Sequence, residues 1–322
     1  MNKMTATATT ATLLAALSIA PAMAADECGE VHFGQVNWTG VSAKTETAAW
    51  LLEQAGYETQ VSTASLPIMF QGLAREDFDA FTGFWVPTSR SMAREYMKAG
   101  DIDIVTKNLA GAKYTVAVTR AAHDGGVRHF SDLAEHIDRF DGRILGIEAG
   151  NDGNDIIDQM IGDNAYGMGE FELQPSSEAG MLTEVQRRVD RDQWAAWLAW
   201  APHPMNLNID LEFLEGGADY WGPNQGGASV YTLARTGYAW HCPNVGQFLE
   251  NYTYSVEEQS QLAGFVINDR MDYAEAGRAL LRERPELLER WFGQGGTYQT
   301  GAVTTADGEG SALEAIQAAL ES

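Results

Sequence analysis

Hydrophobic and polar positions along the first hundred residues follow two periods in turn, one typical of strands and the other of helices. Residues 32–36 alternate as a short strand, and residues 45–54 repeat apolar positions at helical spacing. A strand at residues 57–62, a helix near 67–74 and a third strand at 78–82 continue the series. Strands that alternate with helices at this spacing predict parallel βαβ units.

The same pattern continues beyond residue 100 and indicates a second α/β unit. Further strands are predicted at residues 103–107, 114–120, 143–147, 171–173 and 229–235, and further helices at 131–136, 155–161, 181–189, 256–291 and 311–320. A crossover near Gly111 and a Gly-rich return at 222–227 predict two lobes, each with a mixed, mostly parallel sheet flanked by helices. We assign residues 25–112 and 229–322 to lobe I, and residues 113–228 to lobe II.

Four large aromatic rings stand where a predicted strand meets a turn rich in Gly or Pro. They are Trp38, Trp85, Tyr114 and Trp200. Ligands of parallel sheets bind beyond the carboxyl ends of the strands, and each ring that faces a cation contributes about 0.5–2 kcal/mol. We interpret the four as one aromatic cage for a small methylated cation. The alternative is that each is an ordinary core residue, as we expect for Trp194 and Trp197, which lack this setting.

A second candidate element is the turn Gly150-Asn151-Asp152-Gly153-Asn154, which precedes a predicted helix. Amide side chains and free backbone N–H groups at a helix start can bind an anion or a hydroxyl, such as the tail of a cationic ligand. The same residues would equally serve as a helix cap. His203 lies between two prolines after Trp200, and we expect it to be a hydrogen-bonding loop residue and not a base.

The N-terminus predicts export. Lys3 is the only charge before residue 25, an Ala/Leu/Thr-rich stretch follows it, and Ala22-Met23-Ala24 fits a cleavage site. Residues 1–24 therefore predict a secretory signal peptide, with retention as an anchor as the alternative. No later apolar segment is long enough to insert into a bilayer. In an exported protein the two cysteines, Cys28 and Cys242, predict a disulfide, the alternative being two buried thiols.

Charge and motifs exclude several classes of function. A net charge of −24 repels nucleic acid and anionic lipid, which argues against both as partners. The chain has no Gly-x-Ser-x-Gly, Cys-x-x-Cys, His-Glu-x-x-His or phosphate-cradling Gly-x-x-x-x-Gly-Lys. We therefore expect a binding protein and not an enzyme, with no metal and no cofactor.

The sequence resembles the substrate-binding proteins of ABC importers for choline and glycine betaine, and most closely their periplasmic choline-binding branch. The resemblance spans roughly residues 28–291. It is densest at NLAGAKYT (108–115), GIEAGNDGN (146–154), PHPMN (202–206) and GPN (222–224). It implies a type II periplasmic binding protein fold, with two lobes joined by two crossovers, and a membrane permease and an ATPase as partners. We expect a periplasmic monomer.

By this resemblance the four aromatic residues fall on the family's aromatic box, and Asn151 falls on its polar contact to the ligand's tail. One position departs from the pattern. Choline-binding members carry an acidic residue two positions after the first box tryptophan, and this chain has Gly40 there. The loss of that acceptor should weaken choline binding, since a buried unpaired hydroxyl costs about 1–3 kcal/mol.

The ligand and the role of the protein therefore stay open at this point. Glycine betaine, or a similar zwitterion such as carnitine or dimethylsulfoniopropionate, is at least as strong a candidate as choline. A ligand-sensing domain that signals to a receptor, or an enzyme built on the same fold, would share the predicted architecture. Closure of the two lobes around a hinge near Tyr114 would bury the ligand.

Overall fold

The computed structural model describes residues 28–321, so the predicted signal peptide at residues 1–24 lies outside the described residues. The strands are β1 (Glu30–Gln35), β2 (Glu58–Thr63), β3 (Ala80–Val86), β4 (Ile102–Thr119), β5 (Arg143–Leu145), β6 (Glu172–Gln174), β7 (Ala196–Ala201), β8 (Leu211–Phe213) and β9 (Gly227–Arg235). All strands predicted from the alternating pattern are present, with ends shifted by a few residues.

Helices separate most of these strands, as the sequence predicts. In the first two thirds of the chain they are α1 (Thr39–Gln54), α2 (Leu66–Ala74), α3 (Arg90–Ala99), α4 (Arg120–Asp124), α5 (Phe130–Leu133), α6 (Asp152–Gly162), α7 (Glu178–Val189) and α8 (Met205–Asn208). The remainder are α9 (Ala218–Trp221), α10 (Pro223–Gly226), α11 (Tyr238–His241), α12 (Pro243–Asn251), α13 (Val256–Ile267), α14 (Tyr273–Glu283), α15 (Glu286–Phe292) and α16 (Ala312–Glu321). Two 3-10 segments cover Ala134–Phe140 and Ala165–Glu170.

The strands form one continuous hydrogen-bonded path in the order β2-β1-β3-β9-β4-β7-β5-β6, with β8 also paired to β4. Pairs β1–β2, β1–β3, β5–β6 and β5–β7 are parallel, which confirms the predicted βαβ units. The antiparallel strands β4 and β9 lie between these two parallel groups and join them.

Strand β4 differs from its prediction because residues 103–107 and 114–120 belong to one strand of 18 residues and not to two. Gly111 lies inside it with a φ of 77°, within a shift of register against β9 between Leu109 and Ala112. Up to Lys113 the strand pairs with β9, and from Lys113 onward it pairs with β7. The predicted crossover near Gly111 is therefore the point where β4 changes its pairing from β9 to β7. The division into lobes at residue 112 stays a prediction.

Helix α1 begins six residues before its predicted start, at Thr39, directly after Trp38. The helical period is hidden there because Val41, Ser42, Ala43, Lys44 and Thr45 are all buried, whatever their polarity. Trp38 has an extended backbone and stands at the N-cap. Its ring is consequently held at the junction of β1 and α1, at the carboxyl end of the strand.

The predicted disulfide is confirmed. Cys28 and Cys242 are bonded, with a Cα–Cα distance of 5.4 Å and a sequence separation of 214. The bond ties the segment before β1 to the start of α12, so the first parallel group is completed by C-terminal sequence. Among the described residues, none of the helices combines the length and the apolar character needed to cross a membrane.

Candidate functional site

A cavity lies where β3, β4 and β7 meet the start of α1. It is lined by Trp38, Gly40, Val41, Lys44, Trp85, Leu109, Tyr114, Ile147, Trp200, Pro202 and Gln259, and it encloses about 480 Å³ including its opening to solvent. A mostly apolar and aromatic lining with a few polar groups is typical of a small-molecule site. All four aromatic residues predicted to form a cage are in this lining.

The rings are brought together by strand register. Tyr114 of β4 lies directly opposite Trp200 of β7, and their ring centroids are 6.2 Å apart. The Tyr114 ring centroid is also 5.6 Å from that of Trp85 of β3 and 5.8 Å from that of Trp221. Tyr114 is thus the central ring, while Trp38 enters from the start of α1.

The polar atoms of two of these rings are bound to carboxylates. Trp38 Nε1 donates to Glu148 Oε1 at 2.7 Å, and the Tyr114 hydroxyl donates to Asp152 Oδ1 at 3.4 Å. Asp152 also accepts hydrogen bonds from Ser89 Oγ at 2.6 Å and from the backbone N–H of Gly153 at 3.0 Å. Because these two ring donors are already bound to protein, the rings present carbon surface to the cavity.

Burial shifts the pKa values of the Tyr114 hydroxyl and of the two carboxyl groups that bind the rings. It raises the pKa of Asp152 and of Glu148, against hydrogen bonds from Ser89 and Trp38 that lower each. It also raises the pKa of Tyr114 well above its usual range, and Asp152 and Glu148 add to that shift by charge repulsion. Tyr114 is therefore neutral.

Asn151 is placed at the N-cap of α6 and not in the cavity lining. Its Oδ1 accepts a hydrogen bond from Asn154 N at 2.9 Å, and its Nδ2 donates to the backbone oxygen of Glu148. These bonds correspond to the capping alternative, in which the amide satisfies the first turn. The contact between Asn151 and a ligand's tail stays a prediction.

His203 and Glu178 form a buried pair beside the start of α1. Met205 N donates to His203 Nδ1 at 3.0 Å, so the proton is on Nε2, which donates to Glu178 Oε1 at 3.2 Å. The backbone N–H and hydroxyl of Thr39 also donate to Glu178. Burial alone would raise the pKa of Glu178, but the bonds from His203 and Thr39 outweigh it and lower the pKa. The pair fastens the residue after Trp38 to α7 and to the loop after Trp200.

Two polar residues of the cavity were missed by sequence reasoning. Lys44 Nζ donates to Thr82 O at 3.1 Å and to Asn108 Oδ1 at 2.9 Å, and burial lowers the pKa of Lys44 to about 7. Gln259 of α13 donates from Nε2 to the backbone oxygen of Gly40 at 3.1 Å. Both stand on helices among other polar residues, where a pattern predicts a solvated face. Glu148, in contrast, lies in the same motif as Asn151, so its position was available from the sequence.

The chain matches a known family of binding proteins. The model of OpuAC, the substrate binding domain of the ABC-type glycine betaine transport system, matches residues 29–283, more than half of the chain. The chain belongs to the OpuAC family. Within the family it is 27% identical over 191 residues to the glycine betaine/carnitine transport binding protein GbuC of Listeria monocytogenes, covering 58% of this chain and 60% of that relative.

Solved structures agree with the OpuAC assignment. An ABC-transporter choline binding protein in complex with choline is 40% identical, has a TM-score of 0.86, and covers 91% of this chain and 99% of its own. Lactococcal OpuAC in its closed, glycine betaine-bound form has a TM-score of 0.71 at 19% identity, covering 81% and 98%. The predicted two-lobed type II binding protein fold and the resemblance to the choline-binding branch are thereby confirmed.

Proposed function

We propose that this OpuAC-family protein captures a methylated onium compound, such as choline or glycine betaine, in the aromatic cage and delivers it to a membrane permease driven by an ATPase. The observation that carries the proposal is that three tryptophans and a tyrosine from four separate elements line one cavity. The 40% identical neighbour with choline bound supports the same class of ligand.

The chemistry of the cage suits this class. A quaternary ammonium cannot donate strong hydrogen bonds, so it is held by the negative faces of aromatic rings and by apolar contact with its methyl groups. The donors of Trp38 and Tyr114 are occupied by Glu148 and Asp152, and this leaves ring carbon for the methyls. Four such contacts, less the cost of ordering the ligand, correspond to roughly micromolar binding.

We propose further that the cavity lies between two closing lobes, residues 25–112 with 229–322 and residues 113–228. Bonds that link the two sides support this arrangement, since Thr39 bonds to Glu178 and Ser89 bonds to Asp152. The predicted signal peptide supports a periplasmic location, and the relatives' role in transport supports binding without turnover.

Isothermal titration of the purified protein with choline, glycine betaine and unmethylated ethanolamine tests the proposal. We expect at least one methylated ligand to bind at roughly micromolar affinity and ethanolamine to bind at least tenfold more weakly, because its ammonium prefers water or fixed acceptors. Equal binding of choline and ethanolamine, or no binding of any methylated onium compound, would refute the cage.

A further inference from the structure

Helix α1 begins without a cap from its own sequence. Within the described residues 38–54, the N-cap residue Trp38 makes no side-chain capping bond, and the first turn contains no acidic residue. The first backbone N–H groups of a helix have no partner inside the helix, and together they carry a partial positive charge. The start of α1, directly after a cage ring, therefore needs an acceptor from elsewhere in the chain.

Glu178 supplies that acceptor from 139 positions along the chain. Its Oε2 accepts a hydrogen bond from the backbone N–H of Thr39 at 3.1 Å, and its Oε1 accepts one from the Thr39 hydroxyl. Glu178 is itself the first residue of α7, and it is 6% exposed. One buried carboxylate thus lies at the positive ends of two helices, α1 and α7. The proposed lobe boundaries place these helices on opposite sides of the cavity.

The same carboxylate is connected to a second cage ring through His203. His203 Nε2 donates to Glu178 Oε1 at 3.2 Å, and the His203 ring centroid lies 5.1 Å from that of Trp200. Trp38 directly precedes Thr39. Glu178 is therefore bonded to residues that adjoin two cage tryptophans, although it is not part of the cavity lining. Its position suits a residue that holds the rings in place without contacting the ligand.

An amide could not replace this carboxylate. The proton of His203 is on Nε2, because its Nδ1 accepts from the backbone N–H of Met205 at 3.0 Å. The two Glu178 oxygens therefore face two N–H donors, Thr39 N and His203 Nε2. A glutamine would turn its NH2 group toward one of these donors in either orientation, so one of the two bonds would be lost. The remaining bond would also be weaker, because bonds to a charged acceptor are about twice as strong as neutral ones.

We propose that Glu178 is a positioning residue that holds the cage closed, by capping α1 from the other side of the cavity. We call its contact with Thr39 the latch. Opening of the cavity breaks the latch, so the latch slows the release of a bound ligand. Its loss should raise the dissociation rate, whereas association, which starts from the open form, should change little. This inference rests on the proposed onium binding and the proposed lobes, and it adds the residue that sets how long the ligand stays bound.

The test measures association and dissociation rates of choline and glycine betaine by stopped-flow tryptophan fluorescence. The variants are Glu178→Gln, Thr39→Val and the double variant, and the control for the loss of one charge is Glu172→Gln, at an exposed glutamate of β6. We expect the ligand to dissociate from Glu178→Gln about tenfold faster than from the wild type, with association rates within about threefold. The control should match the wild type in both rates.

The double variant separates the latch from a general effect on folding. Thr39→Val removes only the hydroxyl and keeps the shape and charge of the site. If Thr39 and Glu178 act through their mutual bond, Thr39→Val should speed dissociation about threefold in the wild type and clearly less in Glu178→Gln. Additive effects of the two substitutions, or a dissociation rate of Glu178→Gln equal to that of the control, would overturn the latch and leave the cage in place.

Two further outcomes are decisive. If Glu178→Gln does not fold, Thr39→Val decides alone, and a dissociation rate equal to that of the wild type would refute the latch. If the wild type binds neither choline nor glycine betaine, the proposed function fails and the latch fails with it.

Discussion

The aromatic cage and a second aromatic cluster near the C-terminus are built from the same kinds of residue, but they are packed differently. The C-terminal cluster consists of Phe248, Tyr252, Tyr254, Trp291 and Phe292. Its neighbouring ring centroids are 4.7 Å apart for Tyr252 and Trp291 and for Phe248 and Phe292, and 5.1 Å apart for Tyr254 and Trp291. The neighbouring cage rings, Trp85–Tyr114 and Tyr114–Trp200, are 5.6 and 6.2 Å apart.

The partners of the polar ring atoms differ as well. In the C-terminal cluster, Tyr254 donates to Tyr252, Tyr252 to the Lys44 oxygen and Trp291 to the Thr253 oxygen, all neutral acceptors. In the cage, Trp38 and Tyr114 donate to carboxylates. Rings that fill space against one another stabilise the fold, whereas rings that line a cavity with anions behind them stabilise a bound cation.

The largest expected effect is on the free energy of unfolding, which should differ between the C-terminal cluster and the cage. We expect Trp291→Ala to lower the free energy of unfolding by about 3–5 kcal/mol, because it opens a cavity in a fully packed cluster. Trp85→Ala should lower it by clearly less, since that ring already adjoins a cavity. Urea unfolding without ligand measures both values. Similar losses would show that the cage rings are structural core.

The second prediction concerns affinity for the onium ligand, and it compares a cage tryptophan with a core tryptophan of equal exposure. Trp200 lines the cavity, whereas Trp194 packs on Phe140 and under the Arg139 guanidinium, and each is 7% exposed. We expect Trp200→Ala to weaken onium binding by about 2 kcal/mol or more, and Trp194→Ala to leave the affinity of the folded protein unchanged. Titration calorimetry decides between them, and equal losses would argue against the cage.

Three of the four cage rings could be predicted because each stands at the end of a strand that the hydrophobic pattern makes visible, whereas Tyr114 lies inside β4. Trp38, Trp85 and Trp200 stand beside Gly or Pro at such strand ends, and parallel strands bring those ends to one edge of a sheet. Strand ends are local features, so one sequence is enough to find them. The continuous β4 was not predicted, because Gly111 interrupts its pattern without ending the strand.

The polar residues of the site could not be predicted in the same way. Lys44 and Gln259 belong to α1 and α13, which pack against each other, and that contact depends on the whole fold. From sequence alone, a lysine or glutamine on a helix is expected to face water. The sequence shows Gly40 only as a missing acid, whereas in the structure its backbone oxygen accepts a hydrogen bond from Gln259, 219 positions along the chain. Long-range contacts of this kind leave no local pattern.

The third prediction concerns Lys44, whose charge has no counterpart in the C-terminal cluster. A protonated Lys44 in the cavity lining repels a bound cation, and burial lowers the pKa of Lys44 to about 7. The neutral form predominates above that pKa, so onium affinity should rise from pH 6 to pH 8, by about tenfold at most. Glu178 stays ionised over this range, because its pKa is lowered.

The control for this pH dependence is Lys44→Met, which removes the titrating amine and keeps the length of the side chain. Thr82 O stays hydrogen-bonded in this variant, because Asn108 Nδ2 also donates to it at 2.9 Å. Titrations at several pH values should show a clearly weaker slope for Lys44→Met than for the wild type between pH 6 and pH 8. A wild-type slope that persists in the variant would assign the pH dependence to another group.

The smallest expected effect tests whether the anions behind the cage matter beyond holding the rings. Glu148→Gln keeps an oxygen that can accept from Trp38 Nε1 but removes the negative charge. A buried charge near the cavity is only partly screened, so we expect a loss of about 0.5–1 kcal/mol in cation affinity with unfolding free energy nearly unchanged. Because burial raises the pKa of Glu148, acidification should reproduce this loss as the carboxylate takes up a proton. If calorimetry finds no loss in Glu148→Gln, the carboxylate only orients Trp38, and the contrast with the C-terminal cluster reduces to ring spacing alone.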